Sequence, residues 1–160
     1  MLPEIWFWQG MVTPHMMGIA VALSGLGVRV TYVAAERMSA DRSQQGWLEP
    51  NATGVVVQIA ESRHAVHQLV DGAPKGSIHI CGGIRSNGFI GVAQKRLAAC
   101  GITQWVILET VMDGGWLGIP KRLEYSRLFR KYRSTITGVL AIGYKTSQWV
   151  IRRGVAEEKV

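Results

Sequence analysis

Two short stretches bring together side chains that could do chemistry. In QGMVTPH, the residues Gln9, Gly10, Thr13 and His15 follow directly on the apolar run EIWFW. An amide, a hydroxyl and an imidazole at the end of a buried strand can hydrogen-bond a ligand. A glycine among them lets a backbone come close or adopt a positive φ. In QWVILETVMD, Glu109 ends a strongly apolar run, with Thr110 and Asp113 behind it. Burial there would favour the protonated carboxyl and suit a general base, or a group that holds a hydroxyl.

Each of these has a plainer reading. Gly10 could be a tight turn only. Glu109 could be a surface carboxylate or a helix cap. Arg85 and Asn87 follow the pair Gly82–Gly83 and could touch a ligand. Cys81 with His15 or His79 would make a nucleophile pair, but a buried structural cysteine is commoner. His79 reads as a core histidine, and His64 and His67 show no metal-ligand spacing, so no metal or cofactor is expected. The dinucleotide fingerprint G-x-G-x-x-G and the P-loop are absent: the first turn carries Gly10 alone, and SGLG follows a helix.

These residues need a frame. Strand-length apolar runs occur at 4–8, 28–33, 55–59, 77–81, 104–108 and 138–142, several of them apolar on both faces, as buried parallel strands are. Helical stretches lie between them, at 14–26, 63–70, 88–100, 120–133 and 145–153. Thr13 and Ser62 are candidate caps and Pro14 a candidate first helical residue. Met16, Ile19, Ala20, Leu23 and Leu26 should share one helix face. Residues 43–54 read as a loop, and a further strand is expected to begin at Val155. Six βα units predict an α/β fold, a Rossmann-like three-layer sandwich with a mostly parallel sheet. In such sheets ligands bind beyond the carboxyl ends of the strands, so Gln9, Gly10, Thr13 and His15 should stand at the mouth of a crevice. The free amides opening helix 14–26 could hold an anion there.

The chain has 160 residues, 48% of them hydrophobic, which is ample for one domain with a core. Its net charge of +7 favours an anionic partner. Two cysteines without disulfide spacing point to reduced thiols and a cytoplasmic setting. No secretory leader is read, and no apolar run reaches the ~18 residues of a membrane helix. Six of the 18 Lys and Arg residues fall in KRLEYSRLFRKYR. Arg127, Arg130 and Lys131 lie opposite a stripe of Tyr125, Leu128, Phe129 and Tyr132. That helix is either a solvated face or a contact for anionic lipid headgroups at the inner face of the membrane. Nucleic acid is a weaker partner, because no helix-turn-helix, RRM or zinc pattern accompanies the charge.

The blocks WFWQGMVTPHMMGIAVALSGLGVRVTYVA, SIHICGG, WVILETVMDGGW and VLAIGYKTSQWVIRRGVAEEKV together resemble the N-terminal half of retaining, group 1 glycosyltransferases of the GT-B fold. The resemblance implies an acceptor-binding domain of an enzyme that moves a sugar from a nucleotide-sugar donor to a glycan or lipid-linked acceptor. It implies that the donor is held mainly by a C-terminal domain with an E-x7-E motif, so the 160-residue chain is expected to be inactive alone. Gly10 would be the loop glycine, and Glu109 would stand where many members carry a histidine near the transferring sugar. Some members carry a histidine at Cys81. The alternative is a non-enzymatic, flavodoxin- or response-regulator-like α/β domain that binds a ligand, an anionic membrane or nucleic acid. Gln9 at the end of strand one argues against the response-regulator form, which needs acids there.

Overall fold

The computed structural model describes residues 2–85 and 88–160. Six strands form one sheet: β1 (Ile5–Met11), β2 (Val30–Glu36), β3 (Val55–Ile59), β4 (Ile78–Gly82), β5 (Gln104–Leu108) and β6 (Ile136–Ala141). All neighbours run parallel, in the order β3-β2-β1-β4-β5-β6. The helices are α1 (Pro14–Gly25), α2 (Ala40–Gln44), α3 (Arg63–Gly72), α4 (Gly88–Ala99), α5 (Ile119–Lys131) and α6 (Tyr144–Ile151). This is the expected Rossmann-like α/β fold. Among the described residues no helix is long and apolar enough to cross a membrane.

The residues explain the elements. β1 is flanked on both sides, so Trp6, Phe7 and Trp8 are all buried although they alternate between faces. Trp6, Trp8 and Cys81 pack against Val66 and Val70 of α3 and Ala93 and Leu97 of α4. Phe7, Tyr32 and Ile80 pack on the other face against Met16, Met17 and Ala20 of α1. Val106, Leu108 and Val139 take Tyr125 and Phe129 of α5 and Val150 of α6. Each such Phe, Val or Leu contributes roughly 1.5–3 kcal/mol by leaving water. The Thr13 hydroxyl accepts from the Met16 amide at 3.4 Å, and the Ser62 hydroxyl accepts from the Ala65 amide at 3.1 Å. Both caps were readable as such.

The structure corrects four details. β1 runs past Trp8 to Met11, because Gln9 and Met11 continue the ladder with Ala34 and Glu36 of β2. Gln9 and Gly10 are therefore strand residues, and no turn lies there. The buried face of α1 is Met16, Met17 and Ala20, whereas Ile19 and Leu26 are exposed. A short helix, α2, occupies part of the stretch expected to be loop. No strand forms after Val155: residues 157–159 make one 3-10 turn, and the Lys159 ammonium donates to the Ile136 carbonyl at 3.1 Å. Val155 and Val160 pack on the third core cluster, so the segment closes the core beside the edge strand β6.

Candidate functional site

The strand order reverses between β1 and β4. β1–β3 build outward on one side and β4–β6 on the other, which makes the carboxyl ends of β1 and β4 the switch point where α/β sheets bind ligands. It also puts β4 rather than β3 beside β1, unlike the flavodoxin-like arrangement. A crevice of about 340 Å³ opens there. Gln9, Thr13, Gly82, Gly83 and Glu109 supply its polar lining, and Met16, Ile107, Leu108, Val111, Tyr125 and Ile142 its apolar walls.

Gln9 is its most informative residue. The side chain is buried, and its Nε2 group has no hydrogen-bond partner. A buried amide left unpaired costs about 1–3 kcal/mol, so a site at the crevice wall holds an unused donor. Gly82 makes room for it: a Cβ at that position would overlap Gln9 Oε1. Gly83 adopts φ +95°, which favours glycine, and its carbonyl accepts from the buried Gln94 Nε2 at 2.9 Å while its amide donates to the Ile107 carbonyl at 2.9 Å. The glycine pair is thus fixed between β5 and α4. Its place in the site was legible only as CGG after a strand. Gly10 is exposed, has no positive φ and meets nothing where a Cβ would stand, so neither space nor conformation demands glycine there.

Thr13 is placed by Tyr32. The Tyr32 hydroxyl donates to the Met11 carbonyl at 3.1 Å and accepts from the Thr13 amide at 3.4 Å. Burial raises the Tyr32 pKa against the opposing pull of Thr13, so the phenol stays neutral and can donate. The helix start offers few free amides. Pro14 has none, and the Met16 amide is taken by Thr13, which leaves His15 alone in the first turn. The expected anion seat is accordingly reduced.

Glu109 lines the crevice but is exposed, one residue beyond the end of β5. The apolar run buries its own side chains in the sheet and does not desolvate the carboxylate after it. Among the described lining residues Glu109 carries the sole charge, and no Lys, Arg or His joins it.

The other expected contacts lie elsewhere. The exposed His15 meets the edge of Trp47 at 6.2 Å, and Arg42 stacks on that indole at 4.6 Å. Trp47 had carried no expectation, and nothing in its loop sequence marks it. Arg85 pairs with Glu124, with Nε–Oε1 at 3.3 Å and Nη2–Oε2 at 3.1 Å. Asn87 lies outside the described residues. Thr146 donates to the Ile142 carbonyl at 2.8 Å, which leaves its oxygen to accept from Thr110 at 2.9 Å. Thr110 therefore ties the loop after β5 to α6. Asp113 holds the same loop: its Oδ2 accepts from Trp149 Nε1 at 2.8 Å and Arg153 Nη2 at 2.7 Å. Desolvation works to raise the Asp113 pKa, but the indole N–H and the guanidinium outweigh it and hold the carboxyl below the usual range. Arg127, Arg130 and Lys131 are exposed on α5, outside the crevice.

Cys81 and His79 are not a catalytic pair. Cys81 is fully buried in the core under α3 and α4, and burial pushes its thiol pKa up, away from the reactive thiolate. His79 Nδ1 accepts from Trp8 Nε1 at 3.0 Å, so Nε2 carries the proton and donates to Ser77 at 3.0 Å. Among the described residues no cluster of His, Cys, Asp or Glu could hold a metal ion.

A Rossmann-like domain with a hydrogen-bonding crevice at its switch point is the class that fold and site define. Comparison of the chain with protein families, curated proteins and solved structures found no match.

Proposed function

We propose that the chain is the acceptor-side domain of a GT-B glycosyltransferase, with its acceptor, a glycan or a lipid-linked sugar, held in the switch-point crevice. The observation that carries this is the buried Gln9 amide nitrogen without a partner, on a residue that lines a crevice containing a carboxylate and a hydroxyl but no cation. Amide donors, carboxylate acceptors and an apolar wall suit a polyhydroxyl ligand. A phosphate-rich ligand would call for basic groups or open helix amides. The sequence resemblance supports the same division, in which the nucleotide-sugar is bound mainly by a second domain. In this reading Gln9 and Thr13 position an acceptor hydroxyl, and the exposed carboxylate side chain of Glu109 accepts its proton or a hydrogen bond from it.

Titrating the isotope-labelled chain with a neutral gluco- or manno-disaccharide tests the proposal. The expected result is saturable shifts of the Gln9 side-chain amide and of the Gly82 and Gly83 backbone amides. Gln9→Ala should weaken binding about tenfold, the equivalent of one hydrogen bond of about 1.4 kcal/mol. Absence of shifts at those three residues, or an unchanged affinity in Gln9→Ala, would sink the proposal.

Gly82→Ala probes the same wall from the opposite side. Gly82 has no positive φ, so the backbone tolerates alanine, while the new methyl must displace the Gln9 amide. The chain should stay folded, with the Gln9 side-chain resonances moved and disaccharide affinity lowered as in Gln9→Ala. Wild-type affinity would show that the Gln9 position does not matter.

A further inference from the structure

We infer that the loop after β5 and the first turn of α5 form a wedge that inserts into an anionic lipid bilayer. Met112, Trp116, Leu117, Ile119 and Leu123 are between 46% and 87% exposed, within twelve consecutive residues. Large apolar side chains gathered at a surface in this way mark an interaction site. The wedge is rigidly built. Arg122 Nη1 donates to the Asp113 carbonyl and Nη2 to the Gly115 carbonyl at 3.1 Å, and Lys121 Nζ donates to the Met112 carbonyl at 2.7 Å. A Cβ at Gly118 would overlap the Asp113 carbonyl, so the loop sits directly on the helix start.

The outward side of α5 continues the wedge with charge. Tyr125, Phe129 and Tyr132 turn into the core. Ile119, Leu123, Arg127 and Arg130, spaced three or four residues apart and exposed, share the opposite side. Lys131 is exposed beside them. Leu123 and Arg130 are about 10 Å apart along the axis, which lets the apolar end enter the acyl boundary while the basic end meets headgroups. The two acids of the segment are both engaged: Glu124 pairs with Arg85 and Asp113 with Arg153.

This combination selects the partner. A nucleic acid would satisfy the charges but offers no apolar phase to five such side chains. A second copy would cover the wedge but set one basic rim against another. An anionic bilayer accepts both, and an exposed tryptophan suits its interface. The wedge also adjoins the crevice, since Val111 lines the crevice and Met112 begins the wedge.

Flotation of the 160-residue chain with vesicles tests this without reference to any sugar. The chain should float with vesicles of phosphatidylcholine containing about one third phosphatidylglycerol and stay behind with phosphatidylcholine alone. Trp116→Ala/Leu117→Ala should cut the floated fraction at least about tenfold, and Arg127→Glu/Arg130→Glu should abolish flotation. All four side chains are exposed, so circular dichroism should match the wild type. Disaccharide shifts at Gln9 should persist in both variants, which separates this inference from the proposed function. No flotation with the anionic vesicles overturns it. Flotation that is insensitive to Trp116→Ala/Leu117→Ala also overturns it, by reducing the contact to charge alone, as does wedge-dependent dimerisation in place of flotation.

Discussion

Replacing Asp113 with alanine is expected to lower the thermal midpoint by roughly 5–10 °C, a loss of about 2–3 kcal/mol in a chain of this size. The carboxylate is largely buried at 16% exposure and Arg153 at 10%, so their contact is screened far less than a surface pair. Removing the carboxylate strands two donors beside a third that is already unpaired. Trp149 Nε1 and Arg153 Nη2 lose their acceptor, and the Arg153 Nε is already buried without a partner. The full cost of an uncompensated buried charge is about 3–5 kcal/mol. The lower figure is appropriate because Arg153 keeps its stacking on Trp149 at 4.4 Å and can reach water on relaxing. Asp113→Asn retains an acceptor without the charge and should fall between the two. Thermal melts followed by circular dichroism read the order directly. Melting of Asp113→Ala within about 1 °C of wild type would show that the loop is held by Arg122, Lys121 and Thr110 without it.

Asp113 also illustrates what sequence alone could convey. It was expected to touch substrate because it follows a strand in a parallel sheet, where ligands bind. Which carboxylate at that rim meets ligand and which meets protein is decided by α6 and the turn that follows it. Trp149 and Arg153 lie 36 and 40 residues further on, and no local pattern shows that they return to this loop. Arg85 and Thr110 follow the same logic, each taken by a residue 36 or more positions away. Gln9, Thr13 and Glu109, by contrast, do converge on one crevice, because strand direction alone fixes which ends share a rim.

The frame was more legible than the site. Strands apolar on both faces are the mark of a covered parallel sheet, so several of the strand-length runs announce the class by composition. The end of β1 was misread because Gln9–Gly10 is locally turn-like, whereas its pairing with Ala34–Glu36 is a tertiary fact. The face of α1 was misread for a different reason. Nearly every residue of MMGIAVAL is apolar, so periodicity carries no contrast, and only packing against β2 separates Met17 from Ile19. Burial of Glu109 was expected by extending the character of its strand one residue too far. The wedge left the weakest trace, because MDGGWLGIP reads as loop, and apolar residues in a loop give no sign of whether they turn in or out.

His79 should make the fold sensitive to acid in a window set by a single buried ring. Its pKa is lowered from 6.5 to about 4, because burial penalises the charged imidazolium. The ring is 1% exposed, with Trp6 at 6.0 Å, Trp8 at 6.1 Å and no charge among the partners it bonds. A second proton would go onto Nδ1, where it would confront the Trp8 indole N–H already donating there. The unfolded chain takes up that proton at its ordinary pKa and the folded chain does not. Between pH 6.5 and about 4 the unfolded state therefore binds more protons, and stability falls as pH falls. The contribution is fully present above pH 6.5, and its complete loss amounts to about 3 kcal/mol. Asp113 acts lower, since a carboxyl held below its usual range gives up its stabilisation only as pH falls through that depressed value. Urea unfolding of the wild type and of His79→Gln at pH 7, 5.5 and 4.5 separates the two. Glutamine retains an acceptor for Trp8 but does not titrate, so its stability should vary little over this range. The wild type is expected to lose most of its advantage, and parallel curves for the two proteins would show that His79 admits a proton without cost.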